Sequence, residues 1–256
     1  MNHVLYESKN SISYIYLNRE EQFNALNKEM LHQLLHVIQE IERTDDQVVI
    51  ISGKGKAFCA GGDMAMLKEF AEKDVYEEIM KTIETIITKL YLMPKIVISA
   101  IQGSAVGLGL SLALTADYVV ANTNAKFGVL FMGVGLAPDG GGHFFLSERL
   151  GVHGAKQFTW SMERVSGKEA VEMGLVDIST EEDVVKEARK KAEQLLSAPM
   201  RAILKTKMIY HNKNKEVLKH YLSEERKSQW VLRSTEDHLE GVTAFLEKRK
   251  PEFVGK

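Results

Sequence analysis

The sequence contains little cysteine, little proline and no long apolar run. Its one cysteine, Cys59, excludes a disulfide within the chain and is typical of a reducing compartment, so we expect a cytoplasmic protein. No apolar run approaches the roughly 18–20 residues that a membrane-spanning helix needs. The first residues also lack the basic segment and apolar core of a secretory signal. These absences argue against a secreted, disulfide-stabilised or membrane-spanning protein.

An excess of charge of one sign is missing as well. The 33 Lys and Arg residues nearly balance the 35 Asp and Glu residues, which gives a formal net charge of −2. Such a chain has no long-range attraction for nucleic acid or for an anionic membrane, and we expect neither as a partner. The histidines show no metal-ligand spacing, and there is no G-x-G-x-x-G fingerprint, P-loop or G-x-S-x-G turn. We therefore expect no bound metal, and dinucleotide, nucleoside triphosphate and serine-hydrolase chemistry are disfavoured.

What the chain does contain is a regular alternation of strands and helices over its first 140 residues or so. Asn27 is placed to cap an amphipathic helix that ends before the apolar strand 48–51. A second amphipathic helix is predicted from about Asp74 to Leu92, and the apolar strand 96–101 follows it. The pattern predicts an α/β fold with buried strands.

From about residue 143 the pattern is almost entirely helical. A capping box begins at Ser166, and the polar segment 211–214 is predicted to separate two of the later helices. Charged amphipathic stretches cover residues 181–197, 199–212, 215–232 and 236–249. We divide the chain into a core, residues 1–195, and a helical C-terminal region, residues 196–256. The sequence leaves open whether this region folds over its own pocket or packs on a partner subunit.

Two glycine-rich turns are the strongest functional signal. Residues 58–64 follow the strand 48–51, and residues 103–109 follow the strand 96–101; each turn opens a helix. A turn of this kind exposes backbone N–H groups, and the helix dipole adds partial positive charge, so each turn favours an anion. Two such turns that face one point would form an oxyanion hole, the device that stabilises a thioester enolate.

These turns are part of a longer set of motifs, which occur in one order along nearly the whole chain. They are Leu17-Asn18-Arg19, Asn24-Ala25-Leu26, Gly55 to Asp63, Ala100 to Gly109, Thr115-Ala116-Asp117-Tyr118, Phe127-Gly128, Gly135 to Gly142 and Phe245 to Phe253. In this combination the chain resembles the enoyl-CoA hydratase/isomerase, or crotonase, superfamily. The resemblance implies a spiral of ββα repeats with an α-helical C-terminal region, assembled as a trimer or a dimer of trimers.

The resemblance also implies a substrate and its binding residues. The substrate would be an acyl-CoA whose thioester oxygen receives two backbone N–H groups, which by position fall on Ala60 and Leu108. No separate cofactor is implied, because coenzyme A is part of the substrate. Contacts to the nucleotide end of CoA are expected at Ala25, Ala60, Asp63 and Met64, whereas Gln22 stands where a basic residue commonly holds a CoA phosphate. Phe253 and Lys256 are expected to reach a CoA that a neighbouring subunit holds.

The two glutamates that hold a water in the hydratases of this family are absent. By alignment of the motifs they fall on Ser111 and Phe131, and neither a hydroxyl without a base nor a phenyl ring activates water. One carboxylate remains, Asp139 in the segment Ala137 to Gly141, and this pattern is similar to the isomerase branch. That branch includes Δ3,Δ2-enoyl-CoA isomerases and the ring-1,2-epoxyphenylacetyl-CoA isomerase of phenylacetate breakdown. Phe131 is also expected to contact the substrate.

We therefore predict that Asp139 is a desolvated base, whose pKa burial can raise by up to about 3–5 units. Three alternatives remain at this point. Asp139 can instead bond its own turn, a hydratase can hold water with Asp139 alone, or the protein can bind acyl-CoA without catalysis. Ser111 is expected to bond locally within its helix, and His143 is expected to be a surface or capping residue.

Overall fold

The structure is a computed structural model that describes residues 2–66 and 72–256. In these residues the strands are β1 Val4–Lys9, β2 Ile12–Leu17, β3 Val48–Gly53, β4 Ile96–Ile101, β5 Ser104–Val106, β6 Tyr118–Asn122, β7 Lys126–Gly128, β8 Val165–Ser166 and β9 Ile178–Thr180. The helices are α1 Lys28–Ile41, α2 Lys73–Leu92, α3 Leu108–Leu114, α4 Gly142–Ser161, α5 Gly167–Glu172, α6 Val184–Leu196, α7 Met200–Leu232 and α8 Glu236–Glu247. Short 3-10 turns cover Glu20–Gln22 and Phe131–Val134, and α4 is interrupted at Gly151.

Two sheets organise the fold. The larger has the strand order β1-β2-β3-β4-β6-β9, with β1 antiparallel to β2 and the remaining pairs parallel. The smaller has the order β5-β7-β8. The chain places a strand in each sheet before it forms a helix, as β4-β5-α3 and again as β6-β7-α4. The prediction of an α/β fold is confirmed, and both glycine-rich turns lie where the chain leaves a central parallel strand.

Successive side chains of the central strands serve two hydrophobic cores. On β3, Val49 and Ile51 face the larger core with α1 and α2, whereas Val48 and Ile50 face a smaller core that α6 covers. This alternation follows from the two-residue period of a strand, and both sets are fully buried. The uninterrupted apolar runs in the sequence are therefore strands covered on both faces.

Several local predictions are confirmed at the helix ends. The side chain of Asn27 accepts a hydrogen bond from Met30 N and caps α1. Ser166 and Glu169 form the reciprocal capping box of α5. The prediction of an almost entirely helical second half is wrong at β8 and β9, which extend the two sheets. These strands have two and three residues, which is too short for a period-2 pattern to be recognised.

The predicted break at residues 211–214 is also wrong, because α7 is continuous from Met200 to Leu232. The segment contains no glycine or proline, and tertiary contacts support it. His211 stacks on Tyr91 with ring centroids 4.0 Å apart, and Asn214 donates a hydrogen bond to Glu148 at 3.1 Å. No helix in the described part of the chain is long and apolar enough to cross a membrane.

Candidate active site

The two glycine-rich turns lie side by side. Cys59 pairs with Ala105 in one isolated parallel bridge, and Leu26 pairs with Gly62 in another. The first turn therefore runs between the segment that precedes α1 and the strand β5 that leads into the second turn. This arrangement brings the two sets of exposed backbone groups to one place.

Gly61 marks the closest approach of the turns. Its φ is +96°, and a Cβ atom there would lie 2.9 Å from the carbonyl oxygen of Val106 and 3.6 Å from the backbone nitrogen of Leu108. Only glycine adopts this conformation and tolerates this approach without strain. The first turn is thus in contact with the start of α3.

One of the two predicted oxyanion donors makes a backbone hydrogen bond in the structure. The N–H of Ala60 donates to the carbonyl oxygen of Phe23 at 3.0 Å, so it is already occupied. The N–H of Gly62 has no acceptor among the described residues. In the parallel bridge to Leu26 the residues on either side of Gly62 make the two pairing bonds, so the N–H of Gly62 points away from Leu26. The N–H of Gly62 is therefore open where that of Ala60 is not, and both residues line the cavity.

The second predicted donor lies at the first position of α3. The N–H of Leu108 precedes any intrahelical acceptor and meets none elsewhere among the described residues. The Leu108 side chain is only 3% exposed and packs against Gly140, whose φ is +63°. The Leu108 side chain therefore lies between the second turn and the Asp139 turn.

Asp139 faces the same cavity with a buried and unpaired carboxyl oxygen. Asp139 lines the cavity, and its Oδ1 atom is buried without a hydrogen-bond partner among the described residues. Burial raises the pKa of Asp139 to about 8, and the negative charge of Glu225 adds to the increase. The alternative in which Asp139 bonds its own turn is therefore not observed. A carboxyl group with this pKa is suited to accept and return a proton near neutral pH.

The backbone around Asp139 is held from two directions. Ser111 on α3 donates its hydroxyl to the carbonyl oxygen of Asp139 at 2.7 Å, so the expected local bond of Ser111 is wrong. Gln229 on α7 donates to the carbonyl oxygen of Ala137 at 2.6 Å. Glu225, one helical turn earlier, accepts from the N–H of Gly141 at 2.7 Å. Gln229 and Glu225 were not predicted as site residues, because they lie more than 80 residues away on a helix whose charged pattern is typical of a solvent-exposed surface.

A cavity of about 680 Å³ connects these groups. Its wall includes six of the predicted site residues, namely Ala60, Asp63, Met64, Leu108, Phe131 and Asp139. Most of the remaining wall is apolar, with Met66, Tyr76 and Met80 among its residues. Its size suits an acyl chain with part of its carrier.

Ala25 does not line the cavity but lies beside it. The guanidinium group of Arg19 donates to the carbonyl oxygen of Ala25 and forms an ion pair with Asp63 at 2.9 Å. Arg19 therefore joins two of the predicted nucleotide-end residues. Since its charge is already paired with Asp63, it does not simply replace the basic residue missing at Gln22.

Phe131 closes the cavity over the second turn. A Cβ atom added at Gly107 would lie 3.7 Å from the Phe131 ring, which is an ordinary van der Waals distance. The ring of Phe131 and the hydroxyl of Ser111 thus occupy the positions that the sequence analysis assigned to the two absent glutamates. Neither offers a carboxylate to hold a water.

The C-terminal region covers the cavity of its own chain. Gln229 on α7, Arg233 just after it and Phe245 on α8 contribute to the wall. Phe253 and Lys256 do not, because the tail folds onto the start of α8. The carbonyl oxygen of Lys256 accepts from the N–H of Asp237 at 3.0 Å. Their predicted contact with a neighbouring subunit's ligand remains a prediction.

Comparison with known proteins shows the family of the chain. The family model for enoyl-CoA hydratase/isomerase matches residues 7–256. YhaR of Bacillus subtilis, whose name assigns it to the enoyl-CoA hydratases/isomerases, is 43% identical over 253 residues, with 99% of each chain covered. The 1,2-epoxyphenylacetyl-CoA isomerase of Escherichia coli is 31% identical over 261 residues, and the 2,3-dehydroadipyl-CoA hydratase of the same organism is 31% identical over 258; all of each chain is covered.

Solved structures give the same result for the fold. The enoyl-CoA hydratase of Mycobacterium avium subsp. paratuberculosis superimposes with a TM-score of 0.89 at 28% identity, and 98% of each chain is covered. The relatives carry both hydratase and isomerase names, so they establish the family but do not identify the reaction. The chain belongs to the enoyl-CoA hydratase/isomerase family and has the crotonase fold.

Proposed function

We propose that the protein is an enoyl-CoA isomerase, with Asp139 as its single acid–base group. The observation that carries this proposal is Asp139 itself, which lines the cavity and whose buried Oδ1 has no hydrogen-bond partner in the described residues. Asp63, the other described carboxylate at the wall, is paired with Arg19. One free carboxylate supports proton transfer better than hydration, which needs a water held between an acid and a base.

The proposed reaction moves a double bond in two proton transfers. The Asp139 carboxylate takes a proton from C2 of a 3-enoyl-CoA, and the electron pair of the broken C–H bond moves into a dienolate. The carboxylic acid then returns the same proton at C4, which leaves the 2-enoyl product. Atoms and charge balance without water or an oxidant, and the thioester oxygen carries negative charge only in the intermediate.

That charge requires donors, and we place them at Gly62 and Leu108. Both N–H groups lack acceptors among the described residues, and the turns that carry them are in contact at Gly61. One such donor is typically worth about 10²- to 10³-fold in rate. The apolar wall strengthens the interaction because it excludes water.

The direct experiment compares two reactions of the wild-type protein. We expect conversion of a 3-enoyl-CoA to the 2-enoyl product to be faster than hydration of crotonyl-CoA. Asp139→Asn should lower isomerase turnover by at least about 10²-fold with little change in CoA binding. Asp45→Asn, a matched change at an exposed site, should leave turnover unchanged. Faster hydration would favour the hydratase alternative, and binding without any turnover would favour a non-catalytic acyl-CoA-binding protein.

We also propose a homotrimer or a dimer of trimers in the cytoplasm. Large apolar side chains are exposed along α7, where Ile209 and Tyr210 are 70% and 65% exposed. Exposed apolar surface of this kind supports association. Sedimentation should give three or six times the mass of one chain, and a monomer at micromolar concentration would contradict the proposal.

A further inference from the structure

A second carboxylate is buried directly behind the Asp139 turn. The side chain of Glu225 is 2% exposed and lies on the inner face of α7. It accepts the backbone N–H of Gly141 at 2.7 Å and the backbone N–H of His143 at 3.0 Å. The Nδ1 atom of His143 lies 2.8 Å from the same carboxylate. A buried carboxylate with this set of partners is costly to place and is not explained by packing.

Glu225 acts as the cap of a helix to which it does not belong. Helix α4 begins after Gly141 and receives no side-chain cap from its own first residues. Glu225 satisfies two of the backbone N–H groups that the start of α4 leaves unpaired, and the helix dipole favours negative charge there. The carboxylate therefore fixes the exit of the glycine turn that follows Asp139.

The entry to that turn is fixed by the same helix. Gln229, four residues after Glu225, holds the carbonyl oxygen of Ala137, while Ser111 holds the carbonyl oxygen of Asp139 itself. Every one of these bonds is made to the backbone. They leave the Asp139 carboxyl without a partner among the described residues and free to face the cavity.

We propose that Glu225 is a positioning residue for the Asp139 base, which holds the glycine turn and keeps a negative charge behind it. This inference rests on the proposed function, in which Asp139 transfers the proton. Two effects follow from one side chain. The geometry of the turn sets where the carboxyl points, and the nearby charge makes proton uptake by Asp139 more favourable.

Other charged and titratable groups surround this site. His143 on α4 contacts Glu225 and stacks on Tyr221 of α7. The cavity wall that includes Asp139 also includes Asp63, Tyr76, Arg164 and Arg233. The pKa of Asp139 is raised first by burial and then by the charge of Glu225. Removal of the Glu225 charge should therefore lower the pKa of Asp139 and leave the burial effect in place.

The test is the pH dependence of kcat/KM for isomerisation of a 3-enoyl-CoA. The wild-type rate should rise with pH through a midpoint near 8, because the base must lose its proton first. In Glu225→Gln we expect the midpoint to move down by about one pH unit and the plateau of kcat to fall about tenfold, with KM changed by less than about twofold. The matched control is Glu224→Gln, which removes the same charge from the exposed neighbouring position and should alter neither quantity.

The outcomes separate this inference from the proposed function. If Asp139→Asn retains isomerase activity, the proposed function fails. If Asp139→Asn is inactive but Glu225→Gln keeps the wild-type midpoint, with or without a lower kcat, Glu225 is merely structural and the inference is overturned. Should Glu225→Gln fail to fold, Glu225→Asp decides, because it keeps the charge but shortens the reach. Because this variant keeps the charge, a midpoint near 8 with a lower kcat and a nearly unchanged KM then supports the inference, and a wild-type kcat or a moved midpoint overturns it.

Discussion

The surroundings of Asp139 give its carboxyl group a pKa that suits the proposed proton transfer. Its pKa is raised to about 8 because its carboxyl is buried and because Glu225 is nearby. The folded protein therefore prefers Asp139 protonated, whereas the unfolded chain has a pKa near the ordinary value of about 3.9. The stability that this preference contributes is fully present below about pH 4 and is lost as the pH rises through about 8.

Asp139→Asn should therefore stabilise the protein at alkaline pH. At pH 8 we expect its melting temperature to exceed that of the wild type by at least about 2 °C, since about 1 kcal/mol shifts Tm by roughly 2–4 °C in a protein of this size. The difference should shrink toward pH 4. Thermal melts of both proteins across this range provide the measurement, and a constant difference would show that the carboxyl does not titrate as described.

The two neighbouring glycines of the first turn make a matched pair for a second prediction. A Cβ at Gly61 would lie 2.9 Å from Val106 O in a backbone conformation with φ +96°, whereas the nearest atom to a Cβ at Gly62 is Met66 Cε at 4.0 Å. Gly61→Ala should cost about 1–3 kcal/mol of stability and Gly62→Ala much less. Equal denaturation midpoints for the two variants would contradict the contact between the turns.

The glycine turns are apparent in the sequence, but the N–H group that stays free in the first turn is not: that of Ala60 bonds to Phe23, whereas that of Gly62 has no acceptor among the described residues. The motif shows that backbone N–H groups are exposed after β3. Which of these N–H groups is free depends on the bridge between Leu26 and Gly62. The register of that bridge cannot be predicted from the residue types. The sequence of a short turn predicts its local conformation. It does not predict the hydrogen bond from Ala60 to Phe23, because the two residues lie far apart in the sequence.

Helix α7 links the cavity to the sheet and is the element least well predicted. Its inner face holds Glu225 and Gln229, and its first half carries a buried ion pair, in which Lys207 Nζ lies 2.7 Å from Asp117 Oδ2. Lys207 also donates to the carbonyl oxygen of Lys95. Polar residues at these positions read as a solvated face, because a sequence pattern does not distinguish a satisfied buried charge from an exposed one.

Lys207→Met should therefore be strongly destabilising. It leaves the buried carboxylate of Asp117 without its ammonium partner, and loss of one member of a buried pair typically costs about 3–5 kcal/mol. The exposed Lys205→Met on the same helix should change the free energy of unfolding by less than about 0.5 kcal/mol. Urea denaturation of both variants measures the difference, and similar midpoints would mean that the pair does not anchor α7.

For the molecule as a whole, the α/β core was predictable because its central strands are apolar runs and helices such as α1 and α5 begin at recognisable caps. The division of the chain into a core and a C-terminal region, residues 196–256, remains a prediction. The packing favours a single unit, because the C-terminal region shares its hydrophobic core with the rest of the chain. Leu218 and Leu222 of α7 belong to the same core as Phe144 and Phe145 of α4. The sequence does not predict this packing, because a helix with few apolar residues does not indicate which of its faces is buried.

A chain truncated after residue 196 should not fold on its own. It would expose the core that α7 covers and would leave the start of α4 without its Glu225 cap. Circular dichroism of the fragment should show no cooperative thermal transition, whereas the full chain should unfold cooperatively. A fragment with a sharp transition would show that the core is independent of the C-terminal region.

The central claim is that Asp139 carries one proton from C2 to C4 of an enoyl-CoA. The most direct measurement uses a 3-enoyl-CoA deuterated at C2 and determines by NMR where the label lies in the product. The wild-type protein should give a 2-enoyl-CoA with deuterium at C4, and Asp139→Asn should give almost no product. Wild-type turnover by Asp139→Asn, or hydrogen at C4 drawn entirely from water, would contradict the claim.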